Sequence, residues 1–226
     1  MDTGHFNVKE FLDRVTGKVY RIYSYKRRAC ERVELKSRLA EQLAGYTLIE
    51  KDLRSVVSWL DEIERRHNEG PGRKGHSFGR GQDRDNYTLI KGLFVAILTF
   101  YGKCFSKCEG RPTKMERAQL DTMFHALHDD CMEYRHNFAA HSGAKKLEHV
   151  KVALVYPVKH KTQMEFMIFR ELHQPDVFWP KAGAVPLRKL FEHVREKAQA
   201  KIDRLAAKIE KEEIIPNAAK YMKMSR

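Results

Sequence analysis

The sequence predicts a mainly α protein, a helical bundle with one β-hairpin inserted before its last long helix. Three observations carry this. Apolar residues recur three and four apart over several long segments, the period of one helix face. Strand-like runs are confined to 150–156 and 165–172, so strands do not alternate with helices as a doubly wound sheet would have them do. One segment, 89–101, is apolar on nearly every side, as in the central helix of a bundle.

The elements follow in order. Residues 14–28 hold Arg14, Lys18, Arg21, Lys26, Arg27 and Arg28 without an acid, with Tyr20, Tyr23 and Tyr25 interleaved. This reads as a basic N-terminal arm over 1–29. It either binds phosphates and stacks on bases or packs its tyrosines on the body. A main domain over 30–213 and a tail over 214–226 follow. Leu35, Leu39 and Leu43 predict a helix over 29–44 that Gly45 stops. Ile49, Leu53, Val56, Leu60 and Ile63 predict a second over 47–67, with Thr47 and Glu50 as a capping box. The glycine-rich stretch 69–83 is a surface loop whose Arg73, Lys74 and Arg80 can reach phosphate; it does not match a P-loop. The apolar helix extends over 86–107. The next runs over 114–141 on Leu120, Phe124, Leu127, Cys131, Tyr134 and Phe138. The hairpin insert occupies about 146–173. A last helix spans 185–213, with Pro186 in its first turn and Pro216 stopping it.

The chain has 226 residues and a formal net charge of +13. A charge this far from zero fits either a polyanionic partner, nucleic acid or anionic lipid, or a soluble protein with a solvated basic surface. The excess lies mainly in 70–115 and 183–226, while 116–182 is neutral. The first 30 residues lack the apolar core of a signal peptide, and 89–101 is short for a membrane span and holds Lys91. Four cysteines without a secretory signal read as reduced thiols. A cytoplasmic chain with no membrane partner is expected.

The densest polar cluster at a helix end is 133–142. On α-helical spacing, His141 continues the stripe of Tyr134 and Phe138, Arg135 flanks it, and Asn137 neighbours His141. An arginine and a histidine thus converge on the edge of a packing face. This pair suits RNA phosphodiester chemistry. Histidine titrates near neutrality and moves protons, while arginine stays charged and forks onto phosphate oxygens. One helix supplies one such pair; two copies facing across a dimer make a fuller site.

The run from Arg135 through His136 and Asn137 to Ala140 and His141 resembles the R-x4-6-H motif of HEPN-domain ribonucleases, in which a polar residue follows the arginine and a small residue precedes the histidine. The stretch Phe100 to Lys107 and the Leu127-His128 approach resemble the abortive-infection, toxin-like subset. The resemblance implies an up-and-down bundle and a homodimeric, metal-independent endoribonuclease without cofactor. It implies a cyclic phosphate product and a defence or toxin role, with an antitoxin or other defence-system protein as partner. By the same resemblance Arg135 and His141 are catalytic, and His136, Asn137, Tyr134 and His128 support them. Toxins of this family paired with a nucleotidyltransferase antitoxin carry Tyr two residues after the histidine. Gly143 stands there, so that regulation is not expected.

Two other readings stay open. A non-catalytic HEPN-like module would bind RNA or protein through the arm and the hairpin. Cys104, Cys108, His125 and His128 have donors for a zinc site, although their spacing matches no finger or ribbon.

Overall fold

A computed structural model describes residues 5–69, 84–139, 149–156, 167–173 and 184–224. Among them the chain is mainly helical, with small antiparallel sheets. It divides into two compact units, one of residues 1–41 with 204–226, the other of residues 42–203.

In the first unit the arm is a sheet. Strands β1 (Phe6–Leu12), β2 (Val19–Tyr25) and β3 (Arg28–Ala29) are antiparallel in that order. Phe6 lies opposite Tyr25 and Leu12 opposite Val19. Val8, Phe11, Val19, Tyr20 and Ile22 supply the β-branched and aromatic residues that suit a pleated surface. The Asp13 side chain accepts from the Val15 amide and the Thr16 hydroxyl, which closes the β1–β2 turn. Its first cause, the Thr16 hydrogen bond, holds the Asp13 carboxyl below its usual range.

Helix α1 (Arg38–Glu69) runs through Gly45 instead of breaking there. It starts late because Ser37 caps it: the Ala40 amide donates to Ser37 Oγ at 3.1 Å. Thr47 is no cap, since its hydroxyl donates back to the Leu43 carbonyl at 2.8 Å. Gly45 is needed for close approach. A Cβ there would lie 2.1 Å from Thr113 Oγ1.

Helix α2 (Arg84–Phe105) is longer than its apolar run suggests. By length and composition alone, Asn86–Phe105 could cross a membrane. Here Ile90, Phe94, Ile97, Leu98 and Tyr101 are buried in one core with Ile49, Leu53 and Leu60 of α1. Helices α3 (His125–Tyr134) and α4 (Leu187–Ile209) complete that core through Leu127, Cys131, Leu190, Phe191 and Val194. Each fully buried side chain of this size contributes about 1.5–3 kcal/mol. Arg188 of α4 bridges Asp61 and Glu64 of α1, each at 2.6 Å.

The predicted helix over 114–141 begins only at His125. Residues 106–116 are occupied with ending α2. Arg111 donates to the Lys103 carbonyl, and the Met115 amide donates to the Cys104 carbonyl at 2.8 Å. Short 3₁₀ turns at Arg117–Gln119 and Thr122–Phe124 follow, and Leu120 and Phe124 still reach the core. Strands β4 (His149–Val155) and β5 (Met167–His173) pair antiparallel, with His149 opposite His173 and Val155 opposite Met167. Pro216 does not stop the last helical segment. A π-helical turn (Glu210–Ile214) and a 3₁₀ turn (Ile215–Asn217) absorb its missing amide, and α5 (Ala218–Met224) continues.

A carboxylate lies in this core. Asp52 is 1% exposed, with Lys51 at 2.7 Å, Lys103 at 3.0 Å and the buried Arg111 at 3.7 Å. Burial alone would raise its pKa. The ammonium groups of Lys51 and Lys103 outweigh burial and hold it below the usual 3.8. A depressed carboxyl pKa stabilises the fold above the unfolded value, and this contribution is lost as pH falls through the folded one. Asp52→Asn is expected to cost about 3 kcal/mol in urea unfolding at neutral pH, by leaving Arg111 uncompensated. It should also remove part of the stability loss seen in the parent below pH 3.8.

Candidate functional site

The residues around Arg135 form a π-helical turn, Arg135–Ala139, on the end of α3. A π turn admits an extra residue and rotates whatever follows it, and such turns concentrate at functional sites. The placement of Asn137 beside His141 assumes α-helical spacing, which this turn does not keep. Tyr134 and Phe138 still pack against the core, and the Lys91 ammonium lies 5.2 Å from the Phe138 ring centre.

Arg135 lies over a gap in α2. A Cβ on Gly102 would stand 2.5 Å from Arg135 Cδ and 2.9 Å from Nε, closer than real Cβ atoms come. Glycine costs a helix interior about 1 kcal/mol relative to alanine, and the arginine supplies a reason for it. Among the described residues, the buried Arg135 Nε has no hydrogen-bond partner. A buried guanidinium nitrogen without an acceptor is costly in a protein interior, so its placement calls for an explanation. His136 is exposed, and Asn137 is partly buried with its amide donating to the Glu133 carbonyl at 3.2 Å.

His128, a supporting residue by the resemblance, lies in the core. It is 4% exposed, with Nδ1 2.7 Å from the Tyr101 hydroxyl and its ring 4.4 Å from that of Phe105. The apolar stripe of α3 carries it inward, and Tyr101 satisfies its ring nitrogen. Burial lowers its pKa from 6.5 and pushes the Tyr101 hydroxyl well above 10.0. Tyr101 and Gly102, adjacent on α2, thus receive His128 and Arg135 from one segment. Gly102 is a positioning residue that sequence reasoning missed. Its signal was a glycine inside an otherwise apolar helix.

The zinc alternative loses its geometry. Cys104 is buried with its thiol directed to the Phe100 carbonyl at 3.2 Å, and burial pushes it up to about 12. His125 contacts Arg117 and the Leu120 carbonyl, while His128 is held by Tyr101. Among the described residues no group of three or more His, Cys, Asp or Glu side chains is placed to hold a metal.

Lys26, Arg27 and Arg28 sit at the β2–β3 turn and the start of β3. His141, Arg73, Lys74 and Arg80 lie outside the described residues. No family model, curated protein or solved structure matches the chain.

His128 gives a pH test. Burial disfavours its charged form in the fold, so its folded value lies below the 6.5 of an unburied imidazole. Stability is therefore full above that value and declines as pH falls through the lower folded pKa. Urea unfolding at about pH 7.5 and about pH 5.5 should show this decline in the parent and a smaller one in His128→Gln.

Proposed function

We propose that the chain is a metal-independent endoribonuclease of HEPN type, acting as a homodimer in the cytoplasm with a defence or toxin role. One observation supports the reading: Arg135, first residue of the R-x5-H run, has its Nε buried over Gly102 with no hydrogen-bond partner among the described residues, at the start of a π turn. Arg135 holds the scissile phosphate and offsets charge building on its oxygens. His141 takes the proton of the RNA 2′-hydroxyl. The 2′-oxygen bonds to phosphorus as the bond to the 5′-oxygen breaks, leaving a 2′,3′-cyclic phosphate. The departing 5′-oxygen takes a proton from the second copy of the motif in the dimer. His136 and Asn137 orient RNA or the histidine, and the basic surround draws RNA in. An antitoxin or defence-system partner would act on this same site.

The exposed apolar strands of the first unit and of the hairpin favour a second reading, a non-catalytic HEPN-like module that binds RNA or protein. It predicts salt-sensitive binding without turnover.

In metal chelator, Arg135→Ala and His141→Ala are each expected to slow RNA cleavage about 10²–10⁴-fold with the thermal midpoint unchanged. Arg135→Lys should recover little, since it loses the planar fork. Parent-like rates in both alanine variants contradict the assignment. Gly102→Ala should keep the fold and slow cleavage about 10–100-fold, because its Cβ displaces Arg135.

A further inference from the structure

The first unit carries a second polar constellation that the cleavage chemistry does not use. Across its three strands, Phe6 pairs with Tyr25 and Tyr25 with Arg28. Residues directly opposite one another share a face of the sheet, so two aromatic rings and a guanidinium stand in one row. Phe6 is 61% exposed and Tyr25 39%, with ring centres 4.7 Å apart. The Lys26 ammonium lies 5.4 Å from the Tyr25 ring centre. Further along the same face, Glu10, the one acid among its described strand residues, is paired with Arg21 at 2.6 Å.

The turn next to this row is unusual. Lys26 and Arg27 both adopt positive φ, 48° and 66°. A two-residue hairpin of this kind favours Asn-Gly, which takes that conformation with little strain. Here two long cations occupy it instead, and Arg28 follows them directly. Strain of this sort persists where the displayed side chains have a use.

We infer that the Phe6–Tyr25–Arg28 row and the Lys26–Arg27 turn form a binding site for single-stranded nucleic acid. Bases stack on the exposed rings and successive phosphates meet Arg28, Lys26 and Arg27. Single strands fit because their bases have free faces, whereas a duplex hides them. The run of cations matches a polyphosphate. The inference does not depend on RNA cleavage, and a chain without nuclease activity would keep the site.

The test is fluorescence anisotropy on the full chain in chelator. The probes are a short labelled 2′-O-methyl RNA, which cannot be cleaved through its 2′-oxygen, and DNA of the same sequence. A duplex, polyglutamate and anionic vesicles serve as competitors. The double variant Lys26→Asn/Arg27→Gly installs the turn that the backbone favours. It should unfold at the same temperature or higher, yet bind single strands several-fold more weakly. Its slope of log affinity on log salt should flatten by about 1.4, roughly 0.7 for each lost phosphate contact. Phe6→Ala should weaken binding roughly tenfold with the slope unchanged. Full affinity in the folded double variant overturns the inference. So does equal competition by duplex, polyglutamate or vesicles, which marks a general basic or lipid-facing surface. Because the RNA probe is uncleavable, failure here leaves the nuclease reading standing, and failure of that reading leaves this one.

Discussion

Two adjacent residues of α2 fix the place of the candidate site. The Tyr101 hydroxyl shares a hydrogen bond with His128 Nδ1 inside the core, and Gly102 withholds a side chain where Arg135 lies. One contact is a hydrogen bond that would be expensive to leave unmade in the interior. The other is a space that any larger residue would fill. Together they set both the register of α3 on α2 and the depth at which Arg135 rests. The π turn begins at Arg135, and Phe138 within it still packs against the core.

The end of α2 is held in its turn by the ionic centre at Asp52. Lys103 stands one residue beyond Gly102 and reaches the Asp52 carboxylate, and Arg111 returns to cap the α2 carbonyls from the far side. Gly45 of α1 lets Thr113 approach in the same neighbourhood. A buried charge of this kind stabilises little by itself and is costly to break. Its effect is to fix how α1, α2 and the 106–116 segment meet, and thereby where α3 begins.

The sequence was legible where burial follows a simple period. The apolar run of α2, the strands of the hairpin and the buried stripe of α4 all stand close to where periodicity puts them. It was misleading where one residue has two physical uses. Gly45 reads as a stop but serves close packing, and Pro216 reads as a terminator but sits in a 3₁₀ turn that α5 extends. Tertiary hydrogen bonds decide the rest: Arg111 and Met115 are engaged in ending α2 where the helix over 114–141 was expected to begin. The N-terminal sheet was hidden because basic residues interrupt its alternation. For the site, the Arg135 motif was readable from residue order, but the gap at Gly102 and the inward turn of His128 depend on contacts between helices, which no local pattern encodes.

Arg135 lies in the neutral stretch 116–182, and the cations of the first unit belong to a different compact unit. The central claim is that Arg135 and His141 direct an internal transesterification of RNA. Sequencing the ends of fragments made by the purified chain from total RNA in chelator tests it most directly. The account predicts discrete fragments bearing 2′,3′-cyclic phosphate and 5′-hydroxyl ends. Intact RNA, or fragments with 5′-phosphate ends, would contradict it.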